Sequence, residues 1–141
     1  MIRIAYRLLI ILMLAAFPAR AEDALAVIMA ADTPLNTISL AELKLIYLRK
    51  NQIDAQGNRW IPLNLPVNDP LRRRFSLTLF SLLPEAQDDY WNVQYFNGIN
   101  PPKVMGSEKA VLRFVATTQG SIAYVRQQSV DRRVKVLRLM K

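Results

Sequence analysis

SLAELKLIYLRK, residues 39–50, is the stretch that decides the fold. Ser39 and Glu42 have the S-x-x-E spacing of a capping box, in which the serine hydroxyl caps the start of a helix. Apolar residues then recur at helical spacing, at Leu40, Leu43, Ile46 and Tyr47. This pattern predicts a helix from about residue 40 to residue 48.

Strands are predicted on both sides of this helix. Residues 25–29 (LAVIM) form a continuous apolar run, which is typical of a short buried strand. Residues 51–59 are polar and contain Gly57, so they predict a loop. Residues 60–65 (WIPLNL) predict a second strand, and Pro62 within it favours an edge strand or a strand end.

The rest of the chain continues the alternation of helices and strands. Asp69 can cap a helix whose first position is Pro70, and the apolar spacing predicts a further helix over residues 84–96, ended by Gly98. Ser107 can cap a fourth helix, and strands are predicted at residues 122–125 and 134–139. The order β-α-β-α-α-α-β-β predicts an α/β fold with a mixed sheet flanked by helices.

Four stretches resemble the periplasmic phosphate-binding proteins of ABC transporters. Residues 39–50 resemble their helix pattern L-x-x-E-L-x-x-I-F-x-G-K, and residues 61–64 (IPLN) resemble the strand that leads into their phosphate loop. Residues 117–125 (TTQGSIAYV) resemble T-P-G-S-I-G-Y-V. The segment from Tyr90-Trp91 to the corner at Phe96-Asn-Gly98 resembles their W…F-x-G stretch.

The resemblance implies a reduced type II periplasmic-binding-protein-like fold that captures phosphate or a related oxyanion for an ABC permease. Family members have two lobes and are longer, so one compact lobe and two very small lobes both stay open. One stretch departs strongly from the family, while Arg49 and Ala123, each in place of a glycine, are milder departures. Where its members have a loop rich in Ser, Gly and Thr, this chain has PVNDP at residues 66–70, and Asp69 adds a negative charge there.

Candidate anion-binding residues follow the first strand and start the second helix. Ligands of open α/β sheets bind beyond the carboxyl ends of strands, helix N-termini favour anions, and arginine can bind an oxyanion with two hydrogen bonds. The alternative is turn chemistry in the first loop, with an aspartate that caps its own helix and arginines on a solvated face. The predicted ligand-binding residues are Thr33, Asn36, Asn68, Asp69, Arg72 and Arg73.

Four aromatic side chains are further candidates for a pocket. They also fit a hydrophobic core, which is the more common place for aromatics at helical spacing. These residues are Trp60, Tyr90, Trp91 and Tyr95.

Residues 1–21 have the pattern of a secretory signal. Arg3 and Arg7 precede an apolar run at residues 8–17, and Ala19-Arg20-Ala21 fits an A-x-A cleavage site. The run is about half the roughly 20 residues that a membrane-spanning helix needs. We therefore expect cleavage after Ala21, export to the periplasm, a binding domain over residues 22–141, and no membrane span after removal.

The composition of the chain excludes several classes of function. After removal of the signal, 16 basic and 11 acidic residues leave a net charge of +5. This charge either favours an anionic ligand, an outer-leaflet surface or an acidic partner, or serves solubility alone, and export argues against nucleic acid. The chain has no His and no Cys, so disulfides, histidine-based catalysis and the usual zinc sites are excluded. We expect no enzyme activity, no metal and no cofactor.

Two functions remain after these exclusions. The first is a periplasmic solute-binding protein for phosphate or a related oxyanion in ABC-type transport. The second is a binding-fold module that contacts a periplasmic sensor domain or an envelope complex and captures no small molecule. Basic residues near the C-terminus provide a surface for the second: Arg126, Arg132, Arg133, Lys135 and Arg138.

Overall fold

The computed structural model describes residues 23–141, and the predicted signal segment lies outside these residues. The strands are β1 (Leu25–Ala30), β2 (Ile61–Asn64), β3 (Lys103–Val104), β4 (Ser121–Arg126) and β5 (Val134–Met140). The α-helices are α1 (Leu40–Tyr47), α2 (Pro70–Phe80), α3 (Asp88–Phe96) and α4 (Glu108–Thr117). Short 3-10 helices cover Pro84–Gln87 and Gln127–Ser129.

Polar side chains start three of the helices at the predicted positions. Ser39, Asp69 and Ser107 each accept a hydrogen bond from a backbone N–H in the first turn, at 3.1, 2.8 and 3.1 Å. Each bond satisfies a donor that has no partner within its own helix. The predicted starts of α1, α2 and α4 are therefore confirmed.

All five strands belong to one sheet, in the order β3-β2-β4-β1-β5. β2 is parallel to β3 and β4, whereas β1 is antiparallel to both β4 and β5. β1 therefore runs opposite to the other four strands. The predicted α/β architecture with a mixed sheet is confirmed.

Helices cover both faces of the sheet. The connections from β2 to β3 and from β3 to β4 cross the sheet in opposite directions, and right-handed crossovers then place their helices on opposite faces. On one face, the rings of Tyr47 and Tyr124 both pack against Phe75, with centroid distances of 4.8 and 3.8 Å. On the other face, α4 packs its apolar side against β1, β4 and β5.

The structure differs from the sequence prediction between residues 84 and 104. The segment predicted as one helix over residues 84–96 is a 3-10 turn followed by α3, because Ala86 N–H bonds to the oxygen of Leu83, three residues back. β3 was not predicted. It has only two exposed residues, so nothing in its local pattern indicates a strand, and it forms because Lys103 and Val104 pair with β2.

Pro62 lies in an inner strand, although the sequence favours an edge strand or a strand end. Ile61 N–H bonds to the oxygen of Gly120 on the β4 side, so the nitrogen of Pro62 faces the opposite side. Pairing with β3 begins only at Leu63. The missing donor of Pro62 therefore removes no hydrogen bond of the sheet.

Gly120 holds β2 close to β4. Its φ is +81°, and a Cβ atom at this position would overlap the carbonyl oxygen of Arg59. Only glycine fits both the backbone angle and the space. Gly120 therefore sets the position of β2, which carries the candidate site at its other end.

Candidate functional site

The structure does not bring the six predicted ligand residues together. β1 is antiparallel to β4 and β2 is parallel to it, so the carboxyl ends of β1 and β2 lie at opposite ends of the sheet. Thr33 and Asn36 follow β1, whereas the other four candidates follow β2. The loop at Thr33 and the helix start at Asn68 therefore cannot enclose one small ligand in this structure.

The two candidates after β1 take part in contacts within the protein. Asn36 Oδ1 accepts a hydrogen bond from Lys135 Nζ at 2.8 Å, and the same ammonium donates to the oxygen of Thr33 at 3.3 Å. The hydroxyl of Thr33 accepts from Leu35 N–H at 3.4 Å. These contacts hold the loop against β5. They favour the alternative interpretation, in which Thr33 and Asn36 stabilise a turn and do not bind a ligand.

A cavity of about 340 Å³ opens beside Thr33, at the carboxyl end of β1. Asp32 and Asp54 are among the residues that line it, and within residues 23–141 no lysine or arginine does. The carboxylate of Asp54 already accepts from the N–H groups of Gln56 and Asn58, at 2.9 and 2.8 Å. This cavity carries negative charge and is a poor site for an anion.

A second cavity, of about 230 Å³, lies at the carboxyl end of β2, between α2, α3 and residues 101–104. We call it the β2 cleft. Its polar lining comprises Asn64, Arg72, Ser76, Gln87 and Asp88, with the hydroxyl of Tyr47 beneath. Its apolar lining includes Phe75, Phe80, Pro84, Trp91, Pro102 and Val104.

A hydrogen-bond network fixes the floor of the β2 cleft. The hydroxyl of Tyr124 donates to Asn64 Oδ1 at 3.0 Å and accepts from Leu65 N–H at 3.2 Å, while Tyr47 donates to the oxygen of Leu63 at 2.8 Å. Burial raises the pKa of both tyrosines well above the usual value, so both remain protonated donors. Asn64 also lines the cleft, and within residues 23–141 its amide nitrogen makes no hydrogen bond.

The start of α2 is closed to an added anion by Asp69. Its carboxylate accepts from Leu71 N–H at 2.8 Å, and Pro70 has no N–H to offer. An anion at this helix end would meet the charge of Asp69 and compete with it for the same donor. The geometry supports the interpretation that Asp69 caps its own helix.

The three consecutive arginines have different partners. Arg72 lines the β2 cleft and donates from Nη1 to the oxygen of Leu65 at 3.1 Å, which leaves other N–H groups of its guanidinium for a ligand. Arg73 instead forms two hydrogen bonds with Glu85, at 3.0 and 2.8 Å, which raise its own pKa and lower that of Glu85. Arg74 donates to the backbone oxygen of Asp23. Arg72 is therefore the cation of the cleft.

The remaining candidates divide between cleft, core and surface. Trp91 lines the β2 cleft, Trp60 is buried in the core at 3% exposure, and Tyr95 is 69% exposed. The hydroxyl of Tyr90 donates to the oxygen of Leu48 at 2.6 Å, which joins α3 to the end of α1. Asn68 is exposed and does not line the cleft.

Sequence reasoning missed Asn64, although a signal for it exists. Asn64 is a polar residue at the carboxyl end of a predicted strand, which is where ligands of α/β sheets bind. Phe80 and Pro84 gave no comparable signal, since their role in the cleft depends on how α2 and the 3-10 turn pack.

Three solved structures are similar to this chain. A phosphate ABC transporter substrate-binding protein from Clostridium perfringens, solved with bound phosphate, matches with a TM-score of 0.68 and 15% identity over 82% of this chain and 44% of its own. An ABC-type phosphate transport receptor from Vibrio cholerae (TM-score 0.65, 15% identity) and PstS from Borrelia burgdorferi (0.63, 16%) match over 82% of this chain and 46% of theirs.

This chain has a reduced type II periplasmic-binding-protein-like fold. The resemblance found in the sequence is thereby confirmed at the level of the fold. The chain spans less than half the length of these binding proteins. No family model matches the sequence, and no curated protein matches it either.

The described residues also show neither a metal-binding cluster nor a membrane-spanning helix. Within residues 23–141, no group of three or more acidic, His or Cys side chains is placed to hold a metal ion. In the same part of the chain, every helix is too short or too polar to cross a membrane.

Proposed function

We propose that this chain is a periplasmic solute-binding protein for phosphate or a related oxyanion in ABC-type transport, and that the β2 cleft is its binding site. One observation carries this proposal. Within residues 23–141, Arg72 is the one cation that lines the cleft, and it shares the lining with Asn64, whose amide nitrogen makes no hydrogen bond, at the carboxyl end of a parallel strand. Ligands of open α/β sheets bind at this position.

Arg72 would supply most of the attraction. A hydrogen bond from a guanidinium to an oxyanion is roughly twice as strong as a bond between neutral groups. Its bond to the oxygen of Leu65 holds the side chain at the cleft before a ligand arrives. The amide of Asn64, held by Tyr124, adds a neutral donor whose position is also fixed in advance.

The proposal includes export and a membrane partner. The signal pattern of residues 1–21 supports a periplasmic location, and the solved structures of similar fold are named as parts of phosphate ABC transporters. A permease would receive the solute. Binding without catalysis fits a chain that has no His and no Cys.

A second function, protein interaction without solute capture, is favoured by α3. None of the nine residues of this helix is buried, and Phe96 and Tyr95 are 88% and 69% exposed. Exposed aromatic side chains of this size are typical of contact surfaces between proteins. A sensor domain or an envelope complex would then be the partner.

Calorimetric titration separates these functions. Phosphate is added at low salt to refolded protein that begins at Glu22, with sulfate as the control anion. We expect saturable binding that Arg72→Gln removes and that Arg73→Gln retains, because Arg73 is held by Glu85 outside the cleft. A flat titration of folded protein with both anions would refute capture of phosphate or sulfate.

A further inference from the structure

We propose that the ligand of the β2 cleft is a small organic monoanion, with a carboxylate that binds Arg72 and an apolar body that packs beside Phe80 and Trp91. This inference rests on the proposed function, since it names the class of solute for the same site. Four features of the cleft lead to it: its walls, its size, its donors and its charges.

The walls of the cleft are more apolar than an inorganic oxyanion requires. Two aromatic rings, those of Phe80 and Trp91, stand beside Pro84 and Pro102 in the lining. Val104 also lines the cleft and is 54% exposed, so a bound ligand could bury it further. Apolar surface of this kind gains free energy when an apolar ligand removes it from water, whereas phosphate gains nothing from it.

The size of the cleft fits a ligand with a single ring. Its volume of about 230 Å³ is below the roughly 300 Å³ at which pockets for drug-sized ligands begin. An organic acid with one ring or a short branched chain would therefore fill it.

The hydroxyl groups of the cleft are already in use. Ser76 donates to the oxygen of Leu82 at 2.6 Å, and Tyr47 donates to the oxygen of Leu63 at 2.8 Å. Within residues 23–141, the side-chain donors of the lining that remain for a ligand are those of Asn64, Gln87, the indole of Trp91 and the other N–H groups of Arg72. These suffice for the two oxygens of a carboxylate, and only the guanidinium among them is charged.

The charges around the cleft favour a single negative charge. In the described part of the chain, Arg72 is the one basic residue of the lining and Asp88 its one acidic residue, and Asp69 lies at the start of the same helix as Arg72. One guanidinium neutralises one carboxylate. A second negative charge on the ligand would face the two aspartates without a cation of its own.

Four anions test head group and body separately: acetate, benzoate, phosphate and phenyl phosphate. Each is titrated calorimetrically into protein that begins at Glu22, at equal ionic strength. We expect benzoate to bind at least roughly tenfold more tightly than acetate, because the ring adds buried apolar area. We also expect benzoate to bind more tightly than either phosphate compound.

Variants then test which residue binds the carboxylate of the ligand and which binds its apolar body. Arg72→Gln should abolish benzoate binding, and Trp91→Ala should weaken it roughly tenfold or more. Two matched controls on the same helices should bind as the unaltered protein does: Leu77→Ala on α2 and Phe96→Ala on α3, both exposed and outside the cleft. Circular dichroism and melting temperature confirm that each variant is folded.

Three outcomes overturn the inference in different ways. If phosphate binds and benzoate does not, the solute-binding function stands and the organic monoanion is wrong. If none of the four anions binds to folded protein, both the inference and the proposed function fail. Benzoate binding that survives Arg72→Gln would also overturn the inference, because the carboxylate would then lie elsewhere.

Discussion

Replacing Gly120 by alanine tests how closely β2 and β4 must approach. Two costs add at this position. The φ of +81° lies in the left-handed region, which costs a residue with a Cβ about 1–2 kcal/mol. The new methyl group would also overlap the carbonyl oxygen of Arg59, and overpacking of this kind costs about 1–3 kcal/mol. We expect Gly120→Ala to lower the free energy of unfolding by about 2–5 kcal/mol.

Gly57 supplies a matched control. Its φ of +85° is nearly the same, but nothing lies within 4 Å of the place where a Cβ would stand. Gly57→Ala should therefore show the backbone cost alone, about 1–2 kcal/mol. Urea denaturation of both variants, followed by circular dichroism, gives the two free energies, and their difference isolates the contact with Arg59. Equal destabilisation of the two variants would refute the close approach.

Three further perturbations test the surroundings of the site. Tyr47→Phe should destabilise the fold by about 1–2 kcal/mol in urea denaturation, because the buried oxygen of Leu63 loses its 2.8 Å hydrogen bond. An unchanged denaturation midpoint would show that this hydrogen bond does not stabilise the fold. The pKa of Glu85 is lowered, so its pairing with Arg73 stabilises the fold above the usual glutamate pKa of 4.5, and this stability is lost as pH falls through the lower folded-state pKa. Glu85→Gln should therefore be less stable than the unaltered protein at pH 7 and equally stable at pH 2 in thermal melting. A difference that persists at pH 2 would show that the ion pair is not its cause. Ser107→Ala should cost about 1 kcal/mol in the same assay through loss of the α4 cap, and no change would show that the cap is unimportant.

Local patterns predicted most of the secondary structure. Helix caps and runs of apolar residues act over a few neighbouring positions, so Ser39, Asp69 and Ser107 could be identified as caps without knowledge of the tertiary fold. The direction of β1 and the existence of β3 could not be predicted in this way. Both depend on pairing with strands that lie far along the chain, and β1 pairs with β4 across about a hundred residues.

The candidate site was predictable only in part. The carboxyl end of β2 follows from the strand prediction, and the positive charge of residues 72–74 follows from their composition. The sequence could not assign the three arginines, because their partners Glu85 and Asp23 are brought near by tertiary packing. The placement of Thr33 in the same site failed for a related reason, since it required β1 to run parallel to β2.

Nuclear magnetic resonance of ¹⁵N-labelled protein tests the central claim, that the β2 cleft is the binding site, most directly. Benzoate and phosphate are titrated separately into protein that begins at Glu22, and shifts of the amide and side-chain signals are mapped onto the structure. We predict that shifts concentrate at Asn64, Arg72 and the indole N–H of Trp91, with no change around Thr33. Shifts that cluster around Thr33 and Asp54 instead, or the absence of any saturable shift, would contradict the assignment of this site.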